Sequence, residues 1–295
     1  MSPVNSETQF GVVRTIKALR ARVDAWRAAG RTIGFVPTMG ALHDGHLSLV
    51  RKAGKLADCT VSSIFVNPAQ FAPHEDFSAY PRSEAEDLEM LHAAGCSLAY
   101  APGPDQMYPP GFQTSIRVEK ISQGLCGDSR PHFFGGVAVV VCKLLNQVRP
   151  NLAVFGEKDF QQLLVIKRMI RDLDMPVEIV GAPIVREADG LAMSSRNAYL
   201  STEDRAIAGK LNRVIAGMAE ALGSGADVGD VLKDGRAALA SAGVSRIDYL
   251  EVRSEDDLSP LTEGPPDASR PVRVFTAIIL GKTRLIDNWP VTRAE

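Results

Sequence analysis

Phe35-Val36-Pro37-Thr38-Met39-Gly40-Ala41-Leu42-His43-Asp44-Gly45-His46, continued by Leu47-Ser48-Leu49-Val50-Arg51-Lys52-Ala53, is the stretch that decides the fold. Ile33 to Val36 is a short apolar run and reads as a buried strand. Leu47, Val50 and Ala53, then Leu56 and Ala57, recur at helical spacing. The turn between strand and helix carries Gly40 and Gly45, and its two histidines lie three residues apart. A tight strand-to-helix turn leaves backbone N–H groups at a helix N-terminus, which suits an anion. Gly40 and Gly45 let backbone or ligand approach closely. His43 and His46 can then donate hydrogen bonds to phosphate oxygens as charge builds on them. Alone, the two histidines fit an inert surface turn better. A zinc pair fits worse, because the chain has no HExxH, no Cys pair nearby and no evident third ligand.

The totals bound what surrounds this turn. A chain of 295 residues has room for two domains and a sizeable core. Its 45% apolar and 23% charged residues are ordinary for a globular protein. A formal net charge of −2 leaves no excess of Lys and Arg for a nucleic-acid partner, though a local basic pocket for a small anion remains open. Met1 to Gly11 is polar and lacks the basic and apolar regions of a signal peptide. No run of about eighteen apolar residues is available to span a membrane. Cys59, Cys96, Cys126 and Cys142 are scattered and form no CxxC; with no export signal, the expected compartment is the reducing cytoplasm.

Taken in order, Thr15 to Ala29 reads as an amphipathic helix stopped at Gly30, with Ile16, Leu19, Val23 and Trp26 on one face. Thr60 to Val66 reads as a strand by its β-branched content, running into Asn67-Pro68-Ala69-Gln70-Phe71. Ser83 to Ala94 reads as a helix with Ser83 and Glu86 in a capping box. Strands are expected at Ser97–Ala101, Gln113–Val118, Asn151–Phe155 and Val177–Val180. Helices are expected at Val137–Gln147 and Phe160–Leu173. Strands alternating with helices to about residue 180 predict an α/β fold, a Rossmann-like, doubly wound parallel sheet. Ligands of such sheets sit beyond the carboxyl ends of the strands, where the polar clusters after the first strand, after TVSSIFV and after NLAVF all fall. Composition shifts near Pro183, predicting a first domain over 1–184 and a smaller C-terminal α+β domain over 185–295. The second is expected to hold the polar loop Arg186–Ser201, helices at Thr202–Leu222 and Val228–Ala242, and strands at Arg246–Val252, Val272–Leu280 and Thr283–Trp289. Gly281-Lys282 is a candidate hairpin turn.

Around such a turn, fixed charges and hydrogen-bond donors can serve catalysis by positioning and electrostatics. Lys158 and Arg196 offer fixed positive charge, and Ser194 and Ser195 offer hydroxyls and backbone donors. Gln70 and Gln162 are uncharged and bifunctional, suited to a hydroxy acid. The chain has no G-x-x-x-x-G-K-[ST], no G-x-G-x-x-G and no G-x-S-x-G, so kinase, dinucleotide and serine-hydrolase readings lose their support.

H-D-G-H after a first strand resembles the HIGH signature of the nucleotidyltransferase and class I aminoacyl-tRNA synthetase superfamily. The longer V-P-T-M-G-A-L-H-D-G-H is similar to the pantoate–β-alanine ligase family. Met193-Ser194-Ser195-Arg196 resembles that superfamily's second, KMSKS-like signature, a loop that closes over the nucleotide. Arg246–Val252 and Val274–Asn288 also look like the family, so the resemblance is nearly full-length. It implies that pantoate and ATP give a bound pantoyl adenylate and pyrophosphate, and that β-alanine then gives pantothenate and AMP. It implies that ATP is held by Met39, Gly40, Ala41, Leu42, His43, Asp44, Gly45 and His46, by Gly156, Glu157, Lys158 and Asp159, by Val185, and by Met193, Ser194, Ser195 and Arg196. Gln70 and Gln162 would hold pantoate. The catalytic set it implies is His43, His46, Lys158, Ser194, Ser195 and Arg196. The family pattern names His46 a proton donor, where physical reading makes it a hydrogen-bond donor to phosphate. Mg²⁺ is implied as a companion of the triphosphate, with its protein ligands unknown, and a homodimer as the assembly; no nucleic acid and no membrane are expected as partners.

The sequence departs from the family where S-R-P-G-H-F-x-G-V is usual and Ser129-Arg130-Pro131-His132-Phe133-Phe134-Gly135-Gly136-Val137 stands. If the usual Gly is needed at positive φ, His132 in its place is strained by about 1 kcal/mol or more. Two alternatives stay open: a nucleotidyltransferase of the same superfamily that passes AMP to a phosphorylated acceptor, and a nucleotide-binding regulator with a dead site.

Overall fold

β-Branched and apolar runs alternate with amphipathic helices along the first half of the chain, and each becomes one layer of a three-layer unit. The computed structural model describes residues 10–72, 75 and 77–293; the polar opening stretch, up to Gln9, lies outside them. Gly11–Val13 (β1) leads into Ile16–Ala28 (α1), capped by Thr15 Oγ1, which accepts from the Ala18 N–H. Ile33–Thr38 (β2), Asp44–Leu56 (α2), Cys59–Ile64 (β3), Glu84–Ala93 (α3) and Leu98–Tyr100 (β4) follow. Pro104–Met107 (α4) and Cys126–Ser129 (α5) are single turns before the long Phe133–Val148 (α6). Leu152–Gly156 (β5), Phe160–Asp172 (α7) and Glu178–Ala182 (β6) complete the series.

The six strands are parallel in the order β1-β4-β3-β2-β5-β6. The expected Rossmann-like sheet is therefore present, with its switch point between β2 and β5, where strand order reverses and a crevice opens. Side chains alternate across it with period two. Phe35, Leu98, Tyr100 and Phe155 face a core with α1, α6 and α7, while Val36, Ala99, Leu152 and Val154 face one with α2 and α3. Helix α2 buries Leu47, Leu49 and Val50 there, worth about 1.5–3 kcal/mol each.

The second half builds on its own core. Thr202–Ala208 (α8), Leu211–Gly223 (α9) and Val228–Ala242 (α10) precede Arg246–Ser254 (β7), Pro260–Leu261 (β8), Val272–Leu280 (β9) and Thr283–Pro290 (β10). The strands form an antiparallel sheet ordered β10-β9-β7-β8. Gly281-Lys282 makes the expected hairpin, with Leu280 opposite Thr283. Leu211, Ile215 and Leu222 of α9 pack with Leu239 of α10 and Leu250, Val274 and Ile278 of the sheet. The chain groups into two compact units, one running to Glu157 and again over Gln162–Pro183, the other taking Lys158–Gln161 and the chain from Ile184 onward.

Several expected elements differ. Gln113–Val118 pairs with no strand among the described residues; Ile116 and Val118 pack on the core, so the alternation reflects burial without a ladder. The expected helix Thr202–Leu222 is two helices, because the Lys210 N–H turns back tightly to Ile207 O. Gly209, in ordinary right-handed backbone, leaves room beside it for Asp189, whose Oδ2 would lie 2.2 Å from a Cβ there. Ser83 precedes α3 without capping it; its ψ of 56° is short of the extended backbone a capping side chain needs. The short strands β1 and β8 carry too few residues for periodicity to announce.

Candidate active site

The turn after β2 is built around a buried carboxylate that the sequence did not single out. Asp87 of α3, 1% exposed, accepts from the backbone N–H of Ala41 at 3.0 Å and of Leu42 at 2.8 Å. Burial pushes its carboxyl above the ordinary range, and those two N–H groups pull the other way. Gly40 has φ 81°, and a Cβ there would meet Asp87 Oδ2 at 2.8 Å, so only glycine lets the chain pass so close. Ala41 also takes a left-handed conformation, φ 49°. Thr38 Oγ1 donates to Ser63 O at 2.6 Å and ties the turn's start to β3. Two of the turn's N–H groups thus already serve an internal anion.

His43 is the N-cap of α2: its Nδ1 accepts from the Gly45 N–H at 3.2 Å, which fixes Nε2 as its remaining donor. The ring centroids of His43 and His46 lie 4.1 Å apart, so the two imidazoles form one surface at the helix start. Asp44 is exposed in the first turn and Met39 is half-buried before it. The elements here do what the turn's spacing predicted, placing both histidines at a positive helix end.

After β3, Pro68–Gln70 forms a 3-10 turn that sets Gln70, 8% exposed. Asn67, fully buried, donates Nδ2 to Gln70 Oε1 at 2.9 Å and to Gly136 O at 3.1 Å, while its Oδ1 accepts from Tyr108 Oη at 2.7 Å. Burial pushes the Tyr108 hydroxyl up to about 12, so it stays a donor. With Oε1 engaged, the Gln70 amide NH2 is the group left to meet a ligand's hydroxyl or carboxylate. Helix α6 lies against this turn so closely that a Cβ on Gly136 would fall 2.1 Å from Ala69 O. Arg130 donates to Gln70 O at 3.1 Å and clasps Glu75. His132 sits in ordinary right-handed backbone, φ −86°, just before α6, so the departure from the usual glycine brings no strain; Phe133 takes the Arg130 guanidinium on its face, 3.9 Å from the ring centroid. Asn67, Tyr108 and Arg130 were missed as supports of Gln70. Asn67 stood in the quoted N-P-A-Q-F, and its chemistry was the available signal. Gln162 lies in the first turn of α7, half-buried, and Gly156 ends β5.

Glu157–Asp159 is a 3-10 turn. Within the second unit, Lys158 has its carbonyl bonded by Asn288 Nδ2 at 2.9 Å and its ammonium 3.9 Å from Asp159 Oδ2. The polar loop expected over 186–201 is a tied hairpin. Val185 O accepts from the Met193 N–H at 3.0 Å, Arg186 and Ala192 form a β-bridge, and Arg186 pairs with the buried Asp287 at 2.7 and 3.0 Å. Ser194 caps the turn Ser195–Tyr199, accepting from the Arg196 N–H at 3.3 Å. Asn197 reaches back to Glu187 at 2.6 Å, and Arg205 pairs with both Glu187 and Asp189. Ser194, Ser195 and Arg196 are therefore displayed together on one short turn. Among the described residues no three of His, Cys, Asp and Glu come together as a metal cage, and no helix is long and apolar enough to cross a membrane.

The model of the family described as pantoate-beta-alanine ligase matches residues 11–290, a span that takes in all of these residues. The chain belongs to that family. It is 54% identical over 281 residues to the pantothenate synthetase of Caulobacter vibrioides, covering 95% of this chain and 98% of that one. A solved pantothenate synthetase from Thermus thermophilus superposes with a TM-score of 0.89 at 45% identity, covering 95% and 99% of the two chains. The pantoate-beta-alanine ligase of Francisella tularensis, solved with beta-gamma ATP and beta-alanine, gives 0.80 at 32% identity, covering 95% and 97%.

Proposed function

We propose that this member of the pantoate–β-alanine ligase family condenses pantoate with β-alanine at the expense of ATP, through a pantoyl adenylate. The observation that carries the residue roles is the histidine turn, where a helix N-terminus presents two adjacent imidazoles directly after the first inner strand. In the first step a pantoate carboxylate oxygen attacks the α-phosphorus and pyrophosphate departs. In the second, the amine of β-alanine attacks the acyl carbon, AMP leaves, and the amine's proton is lost to solvent. Met39 to His46 would bind the phosphates, with His43 and His46 donating N–H bonds to oxygens that gain charge in the transition state. Lys158 and Arg196 add fixed positive charge, and Ser194 and Ser195 add donors. Gly156, Glu157, Asp159, Val185 and Met193 would complete the nucleotide contacts. Gln70 offers its amide NH2 to pantoate, with Gln162 as its companion. A Mg²⁺ ion enters on the triphosphate as part of the substrate. A first domain that binds nucleotide and pantoate, a second that serves as a lid, a homodimeric assembly and a cytoplasmic location belong to the same proposal.

The test is one assay of purified protein with ATP, Mg²⁺ and D-pantoate, with and without β-alanine, following AMP and pantothenate. Both products are expected only with all substrates present, and their absence then would sink the proposal. His46→Ala is expected to lower turnover by roughly 10²–10³ with the circular dichroism unchanged; a variant within about threefold of wild type would make the turn structural.

A further inference from the structure

Lys158 and its neighbours belong by their contacts to the second unit, although the chain on either side of Lys158–Gln161 belongs to the first. What holds them there is specific. Asn288 of β10 is 1% exposed and donates Nδ2 to Lys158 O at 2.9 Å. Its other amide end, Oδ1, accepts from Arg273 Nη1 at 2.5 Å. Arg273, itself buried, bonds Glu255 at 2.8 Å and lays its guanidinium over Phe160, 4.1 Å from the ring centroid. Phe160 meets Phe275 in turn, with centroids 5.8 Å apart. Every polar end of the Asn288 side chain is thus assigned: one end is set by a charged donor, the other points at the lysine's backbone.

From this geometry we propose that Asn288 is a positioning residue for Lys158, fixing the backbone from which the lysine ammonium reaches the leaving pyrophosphate. A lysine has four rotatable side-chain bonds, so the place of its charge is only as definite as its Cα. A carbonyl held at one point by a buried amide removes backbone freedom just where a misplacement would be amplified along the side chain. The Asn288 backbone is secured as well, since its N–H donates to Asp287 Oδ1 at 2.8 Å and Asp287 pairs with Arg186. The inference rests on the role given to Lys158 under the proposed function.

The experiment separates the two half-reactions of the full-length enzyme. Adenylate formation is read as pantoate-dependent exchange of pyrophosphate into ATP, and amide formation is read from supplied pantoyl adenylate and β-alanine. Asn288→Ala is expected to lower exchange by about tenfold, one hydrogen bond's worth of positioning, and to leave amide formation within about twofold of wild type. Asn288→Asp keeps an acceptor for Arg273 but sets a carboxylate oxygen, in place of the donor, against the Lys158 carbonyl, so it is expected to show at least the same loss in exchange. In a Lys158→Ala background, removing Asn288 is expected to cost less than about twofold more. Equal slowing of both half-reactions, full additivity with Lys158→Ala, normal exchange in Asn288→Asp, or failure of both variants to fold would each overturn the proposal. If Lys158→Ala itself lost less than about threefold in exchange, the role of Lys158 would fall first, independently of Asn288.

Discussion

Arg130 and Glu75 show how far a single ion pair supports the Gln70 cradle. Arg130 donates Nε and Nη2 to the Glu75 carboxylate at 2.6 and 2.8 Å while also bonding Gln70 O. Burial pushes the Glu75 carboxyl up, but the bonds and charge of Arg130 and the Ala72 N–H more than offset it and hold the carboxyl below its ordinary 4.5. A depressed carboxyl contributes stability in full above that value, because below it the unfolded chain takes up protons first; the contribution is lost as pH falls through the folded-state value. Glu75→Gln is expected to cost about 1–3 kcal/mol at pH 7. Its deficit in urea midpoint should shrink as pH falls below 4.5, and a deficit independent of pH would mean the charge is not what matters. Of the residues at this scale, the places of His43, His46 and Gln70 in the fold were legible because motif and position after a strand mark them. Asp87 was not, since it reaches Ala41 across 46 residues of chain and carries no pattern of its own. Nor could the sequence give the backbone conformation of His132, on which the feared strain depended.

Elements were most legible where one physical period dominates. The alternation that sends Phe35 and Val36 to opposite cores, and the apolar spacing of α2, are properties of the residues themselves. Gln113–Val118 misled because alternating burial is shared by a strand and by an extended segment packed on a core without a partner. Helix α6 shows the opposite case, a placement that depends on an absent side chain. Its Gly136 lets the helix backbone approach the Pro68–Gln70 turn, and Asn67 spans the same junction. Gly136→Ala is expected to push helix and turn apart, costing about 1–3 kcal/mol of stability. It should also raise KM for pantoate more than it alters KM for ATP. An unchanged KM for pantoate in a folded Gly136→Ala enzyme would detach Gln70 from substrate binding.

The chain as a whole carries one tryptophan in each unit, Trp26 of α1 and Trp289 of β10, so each core can be followed by its own fluorescence. Phe160→Ala removes the ring beneath Arg273 and beside Phe275, at an expected cost of about 3–5 kcal/mol. In single-tryptophan backgrounds, the Trp289 transition in urea is expected to shift more than that of Trp26; equal shifts would deny Lys158–Gln161 its place with the second core. That allegiance was illegible in the sequence, where the boundary was placed once, near Pro183, because composition changes only there. Four residues earlier in the chain leave no compositional trace when they join a later sheet. The bond between Asn288 and Lys158 spans 130 residues of chain, and that interval has a meaning in time. During translation the histidine turn and Lys158 emerge well before the strand whose Asn288 bonds the lysine carbonyl. A polypeptide released early, short of β10, would lack the Asn288 amide that bonds the Lys158 carbonyl. If Asn288 positions Lys158 as proposed, such a chain would form adenylate more slowly than the finished one.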